Sequence, residues 1–196
     1  MDGMRHLGPC LLICVALAGG ARAADDLPTE GQPAPTFQLR ALNPEASGAA
    51  FVSLERYAGE EPEDPGSRAV LLSFFASWCA PCQKEMPLLQ QLHQRYREQG
   101  LRVIAVSIDQ EEEGLALARK QIEAARVTYP VLTDRFHLLA RRYLGEKSPL
   151  PSVFLIRRDG TIDRIERGYG KDAKGFLAAE VRRALGLESP VRPDPK

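Results

Sequence analysis

Cys79 and Cys82 stand two residues apart in the stretch Phe74-Phe75-Ala76-Ser77-Trp78-Cys79-Ala80-Pro81-Cys82-Gln83-Lys84-Glu85-Met86-Pro87. Thiols at that spacing can exchange with disulfides or help to hold a soft metal, and the surroundings decide which. Residues 69–75, Ala-Val-Leu-Leu-Ser-Phe-Phe, form an apolar run without polar alternation, the pattern of a buried central strand. Downstream, Met86, Leu89, Leu92 and Tyr96 recur at helical spacing, with Gln90, Gln91, Gln94 and Arg95 between them. That predicts an amphipathic helix. The cysteines therefore fall where a buried strand turns into the first turn of a helix. Unpaired N–H groups and the positive end of the helix dipole favour a thiolate there, and the thiolate is the nucleophile of disulfide exchange. Cys79 is expected at the exposed edge of the turn as the attacking thiol, and Cys82 one turn inside as the resolving thiol. Pro81 has no N–H, and its fixed φ suits the first turn.

A structural zinc site needs about four Cys or His ligands. Cys10 and Cys14 lie in a segment that reads as a removable leader, and His93 and His137 fall on two separate predicted helices. No metal and no cofactor are expected.

Trp78-Cys79-Ala80-Pro81-Cys82 after a buried strand, followed by Glu85-Met86-Pro87, resembles the thioredoxin superfamily. Within it the chain is most similar to the redoxin-type, TlpA/ResA-like extracytoplasmic branch, over residues 31–185. The resemblance implies an α/β thioredoxin fold, a central mixed β-sheet flanked by helices on both faces, with an N-terminal β-hairpin extension. It implies a thiol–disulfide oxidoreductase that reduces protein disulfides through a Cys79–Cys82 redox disulfide, drawing electrons from a membrane thiol donor. Trp78, Pro81, Leu150 and Pro151 would then face the substrate. By the same match Pro151 is the cis-proline that packs opposite the cysteines, and Leu150 precedes it. Proline tolerates cis at a small penalty, and the adjacent backbone is left free to pair with an extended polypeptide.

Glu85 follows Cys82 by three residues, on roughly the same helix face. In ResA-like relatives a glutamate in this position lies beside the cysteine pair and influences its titration. Glu85 is therefore the candidate acid–base, taking the proton of Cys82. Thioredoxin carries a buried aspartate six residues before its first cysteine. Ser73 stands there instead, and it cannot shuttle a proton as a carboxylate does.

Cytochrome c maturation is one task within this scope, but that branch usually carries Gly-Val-x-Gly ahead of the cis-proline. Here stand Glu146-Lys147-Ser148-Pro149-Leu150. A disulfide-donating oxidase is the main alternative, since Ala80-Pro81 does not fix direction. A thiol peroxidase fits less well, because the Pro and Thr of a peroxidatic Pro-x-x-x-Thr-x-x-Cys frame are absent before Cys79. A copper chaperone, with the soft thiolates suiting Cu(I), is a further and less favoured alternative.

The rest of the chain must position this stretch. Residues 1–23 read as a signal peptide: Arg5 and His6, an apolar run over 10–20, then Ala21-Arg22-Ala23 as a cleavage pattern. An uncleaved anchor would leave the domain facing the same compartment. Cleavage would leave Cys79 and Cys82 as the only cysteines, one pair kept for redox work in an exported, periplasmic chain. Residues 24–30 are expected as a linker, 31–186 as the domain and 187–196 as a disordered tail. The chain left, about 170 residues, can bury one core. Over the full 196 residues, 26 basic and 26 acidic residues balance, which gives no footprint for nucleic acid. A monomer is expected.

A Pro-rich entry over 31–39 is expected to lead into a short strand, with 51–54 as a second strand, and an acidic Pro- and Gly-rich insertion at 59–67 is read as a solvated loop. A second buried strand covers 101–109. A helix over 111–126 would present Leu115, Leu117, Ala118, Ile122 and Ala125, with Glu111-Glu112-Glu113 capping its start. A short strand at 130–133 and a helix at 136–143 follow, then strands at 152–156 and 161–165 joined through Asp159-Gly160. A last helix over 170–185 would present Phe176, Leu177, Ala179, Val181 and Leu185 and stop at Gly186. Such β-α alternation predicts parallel strands with helices on both faces.

Overall fold

The apolar run becomes β3, Ala69–Phe75, and all seven of its residues are buried. A strand hidden on both faces must be covered on both faces, and the rest of the fold does this. In the computed structural model, residues 27–170 and 173–187 are described. The expected leader and nearly all of the expected tail lie outside them.

The other elements, in chain order, are β1 (Gln38–Ala41), α1 (Pro44–Ser47), β2 (Phe51–Ser53), α2 (Ala80–Tyr96), β4 (Leu101–Ser107), α3 (Glu112–Ala124), β5 (Val131–Thr133), α4 (Leu138–Leu144), β6 (Ser152–Arg157), β7 (Ile162–Arg167) and α5 (Ala173–Ala184). They build one seven-stranded mixed sheet in the order β2-β1-β5-β4-β3-β6-β7. β3 pairs in parallel with β4 and antiparallel with β6, and so sits inside the sheet. β1 and β2 form the expected hairpin, but it is not a separate layer: β1 pairs antiparallel with β5 and continues the sheet.

Side chains alternate along a strand, so β3 shows which helices lie where. Phe74 meets Tyr143 of α4 and Phe154 of β6, with ring centroids 5.2 and 5.9 Å apart, so α4 covers that face. Ser73 points the other way and meets Glu85 of α2. Leu71 shares that second face with Leu177 and Val181 of α5.

Several expectations need correcting. Leu117 and Ala179 point outward rather than into the core, and Phe176 is exposed; Ala178 packs on the core in place of Ala179. Glu111 is the N-cap of α3, but its side chain makes no capping bond. Glu112 instead reaches Arg119 at 3.2 Å and Arg135 at 3.8 Å. The 59–67 segment is mostly exposed, as expected of a solvated loop, but it is pinned at two points. Arg102 reaches the Asp64 carboxylate at 2.6 Å, and Arg158 donates to the Ser67 carbonyl. Glu30 and the residues that follow it are tied to β7 and the turn before it. Glu30 accepts from the Ile165 N–H at 3.0 Å, and residues 31–34 bond to the backbone at 160 and 162. Together they cover part of the exposed edge of β7, which would otherwise offer unpaired backbone to another chain.

Candidate active site

Cys79 is the N-cap residue of α2, and its Sγ accepts the Cys82 N–H at 3.3 Å. The position follows from the local sequence. β3 ends at Phe75, Ser77 turns the chain, and Pro81 enters the first turn of α2 where a missing N–H costs nothing. The two sulfurs are bonded to each other. Cys79 is 6 % exposed and Cys82 2 %. Cys79 is thus the outer of the two, as expected, but it is buried rather than lying at an exposed edge. Its neighbours Trp78 and Ala80 are exposed, Trp78 by 70 %.

Glu85 is 2 % exposed, so the structure places it inside, not on the solvent side of α2. Its one hydrogen bond among the described residues comes from Ser73 Oγ to Oε2 at 2.7 Å. Burial outweighs that bond and pushes the carboxyl up to about 7. A carboxyl that changes charge near neutrality can exchange protons with a thiol one turn away. The fully buried Tyr129 phenol is pushed up, chiefly by burial and further by the charge of Glu85.

The Leu150–Pro151 peptide is cis. The backbone N–H and C=O of Leu150 have no hydrogen-bond partner among the described residues, while the Pro151 carbonyl accepts from Gly168 at 2.7 Å. Both polar backbone groups of Leu150 are thus unpaired within the described fold. Pro81 is exposed on the first turn of α2. Among the described residues, no cluster of three or more His, Cys, Asp or Glu is placed to hold a metal.

The profile of the AhpC/TSA family matches residues 31–165. The chain belongs to that family. It is 32 % identical over 139 residues to the thiol-disulfide oxidoreductase ResA of Oceanobacillus iheyensis, covering 70 % of this chain and 65 % of that protein. It is 33 % identical over 123 residues to the ResA of Bacillus cereus strain ZK, covering 63 % and 67 %. The chain thus spans about two thirds of the length of these relatives. A Chlorobium tepidum structure described as a thiol:disulfide interchange protein DsbE superposes with a TM-score of 0.68 at 28 % identity, over 81 % of this chain and 99 % of that one. Within the AhpC/TSA family the chain thus stands beside thioredoxin-like thiol–disulfide oxidoreductases, with a redox-capable dithiol at its centre.

A second set of residues in this family member holds the loop before Cys79, and the sequence pattern does not single it out. The buried Asp109 carboxylate accepts from Ser77 N–H at 3.0 Å, Ser77 Oγ at 2.7 Å and Ser107 Oγ at 2.7 Å. The Ser77 carbonyl accepts from Gln83 Nε2 at 3.0 Å and Gln121 Nε2 at 2.8 Å. α2, α3 and the end of β4 thus all grip the residue two before Cys79. α3 comes so close that a Cβ on Gly114 would lie 2.9 Å from Asp109 Oδ1. The one signal in the sequence was an acid at the carboxyl end of a buried parallel strand, next to a turn. Asp109→Ala is expected to lower stability by about 2–4 kcal/mol, since it strands buried donors. A urea midpoint shift at unchanged m-value would show it.

Proposed function

We propose that this AhpC/TSA family member reduces protein disulfides outside the cytoplasm through Cys79 and Cys82. The observation that carries the reading is the placement of Cys79 at the N-cap of α2, where its sulfur already accepts a backbone N–H. In the reduced protein that N–H and the helix dipole favour the Cys79 thiolate. The thiolate attacks one sulfur of a substrate disulfide. A Cys79–substrate bond forms, and the other substrate sulfur leaves as a thiolate that takes a proton from water. Cys82 then gives its proton to Glu85, and the Cys82 thiolate attacks Cys79 Sγ. The mixed disulfide breaks, the second substrate thiolate leaves, and two electrons have passed to the substrate. The chain is left with the closed Cys79–Cys82 bond, and an external dithiol must reopen it.

The unpaired Leu150 backbone and the exposed Trp78 and Pro81 support an extended polypeptide as the substrate. The names of the ResA and DsbE relatives support dithiol chemistry. We place the chain in an oxidising compartment on its leader-like residues 1–23, with a membrane thiol donor reloading a monomer. Cytochrome c maturation falls within this scope. Among the described residues no helix is long and apolar enough to cross a membrane.

The reduction potential of the Cys79–Cys82 pair, measured in a dithiothreitol or glutathione series, tests the direction. A value near or below about −270 mV is expected for a reductant. A value near about −120 mV would make the protein a disulfide donor.

A further inference from the structure

Glu85 is a carboxylate with room for about four hydrogen bonds, yet among the described residues it receives one. The sheet explains why. β3 sets Ser73 in register with Ala105 of β4 and Val153 of β6, so the cross-strand neighbours of Ser73 carry no polar side chain. The titratable groups around Glu85 are few. Tyr129, on the segment leading into β5, has its hydroxyl 3.5 Å from the Met86 carbonyl. Cys82 lies one turn earlier on α2, and Lys84 is exposed.

We infer that Ser73 is a positioning residue that sets the pH at which Glu85 changes charge, by serving as its hydrogen-bond partner in both states. The inference rests on the proposed reading of Glu85 as the base for Cys82. A hydroxyl donates and accepts. When Glu85 is ionised, Ser73 donates to Oε2, as in the structure. When the Cys82 proton arrives, one S–H bond breaks and one O–H bond forms. The negative charge passes from carboxylate to thiolate. The serine hydroxyl can then turn and accept from the new acid. A second buried carboxylate at this position would instead titrate jointly with Glu85. The serine that departs from the thioredoxin pattern is thus part of the device.

The test uses the full chain with its disulfide closed, where Cys79 and Cys82 do not titrate. The side-chain carboxyl carbon of Glu85 is followed by NMR against pH, assigned by its loss in Glu85→Gln. The bond to the ionised form is the stronger of the two, so its loss in Ser73→Ala should raise the midpoint by about one pH unit or more. Ser73→Thr and Ser73→Val give a second comparison, equal in volume and differing in the hydroxyl. Thr should keep the wild-type midpoint and Val should follow Ala. The pH dependence of mixed-disulfide resolution in the reduced chain should shift with it. A Glu85 midpoint that stays put in both Ala and Val variants overturns the role of Ser73. If the midpoint moves while Glu85→Gln keeps the wild-type rate profile, control by Ser73 stands and the reading of Glu85 as base fails.

Discussion

A Cys82→Ser variant is expected to stop after the first exchange and accumulate as a covalent adduct between Cys79 and its disulfide substrate, with turnover down by about 100-fold or more. The Cα atoms of the two cysteines are 5.3 Å apart, within the normal span of a disulfide, so Cys82 reaches Cys79 without backbone movement. That proximity makes resolution intramolecular, an advantage that an external thiol at ordinary concentration cannot match. A serine hydroxyl in place of Cys82 cannot form the bond at all. Cys79→Ser should give no adduct, because Cys82 is 2 % exposed and lies inside Cys79, the proposed attacking residue. The same control accounts for Cys10 and Cys14 where these are retained. Non-reducing electrophoresis with mass measurement reads the outcome. Adduct in the Cys79 variant and none in the Cys82 variant would reverse the two roles.

The parts of this arrangement that were legible from sequence are those written in local patterns. The apolar run 69–75, the helical spacing of Met86, Leu89 and Leu92, and Pro81 between the cysteines each carry their own physics, and they mark β3, α2 and the turn between them. The tertiary polar bonds were not legible. Gln90 looked like a solvent residue by type, yet it is buried and meets Thr128 through both amide atoms, at 2.9 Å each. Ser73 looked like the loss of a carboxylate. Its value lies in facing Glu85, twelve residues away on another element. Asp109 grips Ser77 across 32 residues, a contact that no local pattern announces. The acidic 59–67 segment is exposed, as its composition suggests, but its anchoring by Arg102 and Arg158 is a long-range contact of the same kind. Composition reports what a segment can tolerate, and long-range donors decide where it rests.

Glu85→Gln is expected to flatten the dependence of folding stability on pH and to leave the oxidised protein more stable than wild type at pH 8, by on the order of 3 kcal/mol. Unfolded, Glu85 titrates near its ordinary value of 4.5; folded, burial has pushed it up to about 7. Between those two values the native chain holds a proton that the unfolded chain has lost. Raising the pH through this window therefore favours unfolding, and the loss is complete above about 7. Below 4.5 both states are protonated and Glu85 contributes no slope. Glutamine carries no charge to desolvate and keeps an oxygen that can accept from Ser73. Urea midpoints of both proteins at intervals from pH 4 to 8, with the disulfide closed, would show wild type falling relative to the variant across the window. Parallel curves would mean that Glu85 ionises in the fold as readily as in water, and its burial would then have no hold on its proton. The cost of charging this carboxyl and its proposed use as a base near neutrality come from one cause, removal from water. A variant that gains stability at pH 8 by losing Glu85 should therefore lose its fast step at Cys82 by about 100-fold or more.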